Sequence, residues 1–218
     1  MAKAIEGLYA VTPDLRDSVA LCDKVVAALA GGVRLVQYRS KSADTVRQAE
    51  EAAALASVCR RFRARLIVND DVQLAKSCGA DGVHLGADDV PVAQARRILG
   101  PDALIGASCY SSLQLASRAA ADGADYVAFG AVFQSSTKPG ALPVSLSLLS
   151  EARSTIELPI VAIGGISAHN AGRVIEAGAD AVAVVTGLFD AGDIESEARR
   201  LLEITTAALS RRASAKAA

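Results

Sequence analysis

The 218-residue sequence contains no tryptophan, and aromatic residues make up only 4% of it. A surface that stacks the bases of single-stranded nucleic acid is therefore poorly supplied. Neither sign of charge is in excess, since 23 Lys and Arg against 24 Asp and Glu leave a formal net charge of -1. That argues against a bulk polyanion binder, but not against a local cationic pocket for one small anion. Histidine occurs twice, at His84 and His169, too few for the usual zinc site. Cys22, Cys59, Cys78 and Cys109 show no CxxC spacing, and read as free thiols in a reducing cytoplasm. No apolar run approaches the roughly 18 residues of a membrane span. The longest uncharged stretches, Ala103 to Ser117 and Leu158 to Gly172, are broken by Gly, Ser, Gln, His and Asn. The opening MAKAIEGLYAV lacks the long apolar segment of a signal peptide, so none is expected.

What is present is a core-forming composition, 51% hydrophobic, arranged as an alternation. Short β-branched runs alternate with Ala-rich stretches of helical period. Strands are expected at Leu8–Val11, Arg34–Gln37, Arg65–Val68, Gly82–His84, Leu104–Ala107, Tyr126–Phe129, Ile160–Ala162 and Ala181–Val184. Helices are expected near 15–30, 43–62, 71–78, 91–99, 111–122, 145–154, 168–177 and 193–209, with a frayed tail from Arg211 to Ala218. The strands are apolar throughout, as in a parallel sheet covered on both faces. A Gly-Ala-Asp signal recurs at 79–81, 123–125 and 178–180, where a glycine ends a helix and an aspartate turns into the next strand. Its role reads as structural. Eight βα units in 218 residues allow about 27 residues each, close to a compact (β/α)₈ TIM barrel. A doubly wound open sheet would want a Gly-rich turn after the first strand, and Val11-Thr12-Pro13-Asp14 is not one. The expectation is one α/β barrel domain over residues 1–210.

Barrel enzymes carry their chemistry just after each strand. After strand 2, in Gln37-Tyr38-Arg39-Ser40-Lys41, the odd positions point one way and suit a diphosphate, unless the loop is merely solvated. Asn69-Asp70 and Asp89 follow strands 3 and 4, and the two aspartates read either as a Mg²⁺ site or as helix caps. His84 reads as a core residue or a support behind the site. Ser108 follows strand 5 without a GxSxG elbow, and Cys109 is a weak candidate nucleophile. The longest loop, Gly130 to Gly140, offers Ser135, Ser136, Thr137 and Lys138 to an anion. Loops 7 and 8, with Gly164, Gly165, Val185 and Thr186, match the phosphate position common in such barrels. Two anionic ends, one at each side of the mouth, point to a phosphate-handling barrel enzyme that uses Mg²⁺.

Together GLYAVTPD, VQYRSK, LIVNDD, GADGVHLG, IGAS, GADYVAFGAVF, STKPG, IVAIGGI and AVAVVTGLF resemble the thiamine phosphate synthase family, in order and spacing, over roughly residues 7 to 190. The resemblance implies coupling of a hydroxymethylpyrimidine diphosphate to a thiazole phosphate. It puts Gln37, Arg39, Lys41 and Asn69 on the pyrimidine diphosphate and Asp70 and Asp89 on Mg²⁺. Ser108 would contact the diphosphate or pyrimidine end and Lys138 the leaving group, with Ser135, Thr137, Gly165, Val185 and Thr186 at the thiazole phosphate. Tyr38, Ser40 and Ser136 join the expected substrate-binding set as neighbours of these residues. The family's chemistry is a dissociative displacement through a pyrimidine carbocation, which needs no protein nucleophile. The partners expected are thus two small molecules, with neither nucleic acid nor membrane, and an oligomer is compatible with every motif. Ala87, Ala131 and Ser135 depart from the family's usual residues, and none removes a group with an assigned role. The sister thiazole tautomerases place a histidine where this chain has Tyr110. A barrel that only binds its ligand should have lost one of Arg39, Lys41, Asp70 or Lys138, and all four are present.

Overall fold

The computed structural model describes residues 5–134 and 144–217. Its elements alternate as expected. They are β1 (Gly7–Val11), α1 (Ser18–Ala30), β2 (Leu35–Tyr38), α2 (Thr45–Arg61), β3 (Arg65–Asn69), α3 (Val72–Cys78), β4 (Gly82–Leu85), α4 (Val92–Leu99), β5 (Leu104–Tyr110), α5 (Leu113–Ala121), β6 (Tyr126–Gly130), α6 (Leu146–Thr155), β7 (Ile160–Ile163), α7 (Ala171–Glu176), β8 (Ala181–Val184), α8 (Thr186–Phe189) and α9 (Ile194–Ala217). The eight parallel strands close in sequence order, β1 pairing with both β2 and β8. No helix among the described residues is long and apolar enough to cross a membrane.

The strand register sorts the apolar runs onto two faces. Tyr9, Val11, Leu35, Ile67, Leu104, Tyr126, Ala128, Val161 and Ala183 form the packed barrel interior. Residues between them, such as Val36, Leu66, Val127 and Val182, face the helices. Two interior glycines make room for large neighbours. A Cβ at Gly106 would lie 2.0 Å from the Tyr126 ring, and one at Gly82 would lie 1.9 Å from the Leu104 carbonyl oxygen. The interior taper is thus set by pairing a glycine with a large side chain on the next strand.

The three Gly-Ala-Asp turns do the structural work expected of them. Gly79, Gly123 and Gly178 all have positive φ. Each aspartate then accepts a backbone N–H from the first two residues of the preceding strand: Asp81 from Leu66, Asp125 from Ile105 and Asp180 from Ile160, each at 2.8 Å. A group that opens one strand therefore satisfies an otherwise unmatched donor at the bottom of its neighbour. The tail departs from expectation, because residues 211–217 continue α9 instead of fraying. The helix is tied down by Arg211 on Glu176 at 2.7 Å and Arg212 on Asp180 at 2.5 Å.

Candidate active site

The C-terminal ends of the strands surround a cavity of about 300 Å³. Gln37 and Arg39 line it from β2 and its loop, Asn69 from β3, and Ser108 from β5. On the far side Gly165, Val185 and Thr186 line it from the loops after β7 and β8. Seven residues expected at the site thus meet around one space. Inward alternation brings Gln37, Asn69 and Ser108 there, since each lies two residues beyond, or level with, an interior side chain.

Other expected residues sit elsewhere. Tyr38 corrects the expectation, because it points outward between β2 and α2. Its hydroxyl donates to Glu51 Oε2 at 2.6 Å, and Ser18 Oγ donates to Glu51 Oε1 at 2.6 Å. Burial and the Glu51 carboxylate push the Tyr38 hydroxyl well above an ordinary phenol. It joins α1, α2 and β2 and does not line the first cavity. Tyr38, Ser40 and Asp70 border a second, smaller cavity beside the first, which shares Asn69 with it. Lys41 is exposed, and its backbone N–H donates to Asp14 Oδ1 at 3.1 Å. Ser135, Ser136, Thr137 and Lys138 lie outside the described residues.

The capping alternative for the two aspartates does not hold. Asp71, not Asp70, caps α3, accepting from Gln73 and Leu74 at 2.8 Å each. Asp70 sits just before it with φ of 65°, a left-handed conformation that is uncommon outside glycine. Pro91 holds the first position before α4, while Asp89 Oδ2 accepts from Gly86 N at 2.6 Å. Both aspartates therefore sit in loops after adjacent strands, and neither is the N-cap residue of the helix that follows. Among the described residues no group of three or more His, Cys, Asp or Glu assembles into a protein-built metal cage. An ion such as Mg²⁺ does not need such a cage, since it takes one or two carboxylates from protein and completes its shell with water and phosphate oxygens.

Several contributors were not legible in the sequence. Thr12, 1% exposed, clamps the turn that carries Arg39. Its Oγ1 accepts from Arg39 N at 2.9 Å and donates to Arg39 O at 3.2 Å. The Thr12-Pro13-Asp14 segment thus anchors the loop after β2 at Arg39 and, through Asp14, at Lys41. Tyr110, in a left-handed conformation at φ 53° beside a register shift in β5, lines the cavity and is 43% exposed. Tyr9 and Tyr126 lie below, Tyr9 on the cavity wall, and His84 holds Ser108 with Nε2 2.9 Å from Oγ. His84 therefore fits the expected supporting role. Cys109 is buried on the helix side of β5, and burial pushes its thiol up to about 12, so it is no nucleophile.

Glycines shape the far wall. Gly164 and Gly165 have φ of 105° and 63°. A Cβ on Gly164 would lie 2.4 Å from Ala131 Cβ, and one on Gly165 2.4 Å from the Gln134 carbonyl oxygen. Loop 7 can press on the start of loop 6 only because both residues lack side chains. The chain then leaves β8 through Val185 directly into α8, whose first turn has no side-chain cap. Val185 and Thr186 line the cavity there, at the phosphate position common in such barrels.

Comparison with known proteins gives this geometry a context. Residues 8–188 match the family model described as thiamine monophosphate synthase. A thiamine-phosphate synthase of Chromobacterium violaceum is 57% identical over 201 residues, covering 92% of this chain and 97% of that protein. One from Thioalkalivibrio sulfidiphilus is 56% identical over 198 residues, covering 90% and 94%. The solved thiamine phosphate pyrophosphorylase of Pyrococcus furiosus superposes with a TM-score of 0.84 at 35% identity, covering 93% of this chain and 96% of that one. With its barrel, its two-sided cavity and matches that span nearly its whole length, the chain belongs to the thiamine monophosphate synthase family.

Proposed function

We propose that the chain is a thiamine-phosphate synthase that joins 4-amino-2-methyl-5-hydroxymethylpyrimidine diphosphate to thiazole phosphate, releasing diphosphate. One observation carries the reading: a single cavity has Arg39 on one side and the glycine-lined loops of β7 and β8 on the other. Two substrates, each with a phosphate end, can then meet with their rings between two anion-receiving walls. Gln37, Asn69 and Ser108 supply neutral hydrogen-bonding groups to the pyrimidine in the middle. Backbone groups at Gly165, Val185 and Thr186 receive the thiazole phosphate, where missing side chains permit close approach.

The reaction proceeds by dissociation. The diphosphate leaves, the pyrimidine carries a resonance-stabilised positive charge, and the thiazole nitrogen captures it. Arg39 offers a planar fork to the departing oxygens, and Thr12 fixes the backbone from which it projects. Lys41 would add positive charge to the same end, and the family resemblance assigns Lys138 to the leaving group as well. Asp70 and Asp89 would hold Mg²⁺, which when bound supplies further neutralisation of the leaving group. No side chain has to attack carbon. The apolar wall from Val161, Ile163 and Ala183 keeps water from the cation. Four free cysteines accord with a reducing, cytoplasmic setting.

The test is to incubate the purified protein with both substrates and Mg²⁺ and to measure thiamine phosphate and diphosphate. Equimolar products are expected, with turnover lost on chelation and strongly reduced in Asp70→Ala. Absence of product under these conditions overturns the reading, and turnover unchanged in the variant overturns the metal assignment.

A further inference from the structure

Below the cavity, five side chains from five strands or strand ends form a continuous hydrogen-bonded chain. Gln37 Nε2 donates to Tyr9 Oη at 2.9 Å, and Tyr9 Oη lies 3.0 Å from Tyr126 Oη. Tyr126 Oη lies 3.0 Å from His84 Nδ1, and His84 Nε2 lies 2.9 Å from Ser108 Oγ. Tyr9, Tyr126 and Gln37 are at most 4% exposed and His84 is 8% exposed. The His84 ring also stacks on the Tyr126 ring, centroids 5.5 Å apart.

Counting hydrogens gives this chain a direction. An amide nitrogen has no acceptor, so Gln37 donates and the Tyr9 oxygen accepts. The single hydrogen of Tyr9 then goes to its other neighbour, Tyr126. The hydrogen of Tyr126 in turn goes to His84 Nδ1, which must be bare to receive it. A neutral imidazole with bare Nδ1 carries its proton on Nε2, and that N–H donates to Ser108. The hydroxyl hydrogen of Ser108 is left to turn away from His84. Burial holds both phenol protons firmly, Tyr9 and Tyr126 each being pushed well above the ordinary value.

We propose that Gln37, Tyr9 and Tyr126 fix His84 as the Nε2–H tautomer, so that Ser108 meets the cavity as a hydrogen-bond donor. Tyr9, Tyr126 and His84 are then positioning residues. In this polarity His84 cannot take the proton of Ser108, so the pair is not a nucleophile and its base. The proposal rests on the synthase reading only for the identity of what Ser108 donates to.

The chain has two histidines, which makes the test direct. The full-length protein is labelled with ¹⁵N-histidine, and His84 is assigned by comparison with His169→Gln. Without substrates, Nε2 of His84 should give the shift of a protonated ring nitrogen and Nδ1 that of a bare one. In Gln37→Glu a carboxylate that only accepts replaces the donor, and the two shifts should exchange. A protonated Nδ1 in the parent protein, or no exchange in Gln37→Glu, overturns the proposal. Tyr126→Phe keeps the ring against Gly106 and cuts the chain. It should mix the tautomers and lower kcat/KM about tenfold, as expected for one hydrogen bond to the site. If it changed neither, Tyr126 would not be a positioning residue. Loss of coupling activity in every form, with Nε2–H intact, would tell against the synthase reading and leave the chain standing.

Discussion

At the scale of single residues, the site depends on partners far away in sequence. Arg39 is set by Thr12, 27 positions earlier, through hydrogen bonds to both its backbone N–H and its carbonyl. Thr12→Val keeps shape but removes both, leaving the half-buried Arg39 N–H without that partner. Such a loss costs about 1–3 kcal/mol where it falls. We expect kcat/KM to drop roughly tenfold by steady-state kinetics, with the far-ultraviolet circular dichroism spectrum retained. Unchanged kinetics would show that the turn carrying Arg39 holds itself. Gln37, Asn69 and Ser108 were legible because a strand end points its alternate residues inward by a local rule. Thr12 was not, because nothing around it in the sequence says which loop its hydroxyl will meet. Tyr38 leaves the first cavity for the complementary reason: next to two residues that line it, it lies on the opposite face of the strand.

At the scale of elements, the Gly-Ala-Asp turns show how a repeated local signal becomes architecture. Asp180 takes the Ile160 N–H and pairs with Arg153 at 2.9 Å and Arg212 at 2.5 Å, tying β7, β8, α6 and α9 at the barrel bottom. The carboxylate and both guanidinium groups are about four-fifths buried, with side-chain exposures of 18–20%. Asp180→Asn removes the charge between two arginines and should cost about 2 kcal/mol after allowance for partial exposure. For a chain of this size that lowers Tm by roughly 4–8 °C by scanning calorimetry. Turnover at 25 °C should stay within a factor of two, since the opposite face carries the chemistry. Asp81→Asn, which lacks the paired arginines, should cost less. Equal effects would mean that the strand-bottom hydrogen bond, not the ion pairs, dominates. The same arginine explains the tail, where residues 211–217 read as a frayed end because their anchors, Glu176 and Asp180, are remote in sequence.

At the scale of the whole molecule, burial divides the titratable groups into those that meet water and those that do not. Cys59 and Cys109 lie in the layer between strands and helices, and desolvation pushes both thiols from 9.0 up to about 12. The folded protein holds these protons through a range in which the unfolded chain has lost them. Their contribution is therefore fully present below about pH 9 and disappears as pH rises toward about 12. Urea unfolding should give a lower midpoint at pH 10.5 than at pH 8. Cys109→Ala should lose stability at pH 8 through the cavity it creates, yet show a shallower fall between the two pH values. An equal slope in both proteins would mean that Cys109 is not shielded from water.

What the sequence determined by itself follows from rules that act over a few residues. Apolar runs alternating with helical stretches, closed by glycine and aspartate, required eight βα units, and the position after each strand located the mouth. Only the tertiary structure decided which hydroxyls and amides meet across the barrel. The chain Gln37–Tyr9–Tyr126–His84–Ser108 joins residues up to 117 positions apart through contacts of 2.9–3.0 Å. Hydrogen bonds are short and directional, so they depend on closure and register, which no local pattern encodes.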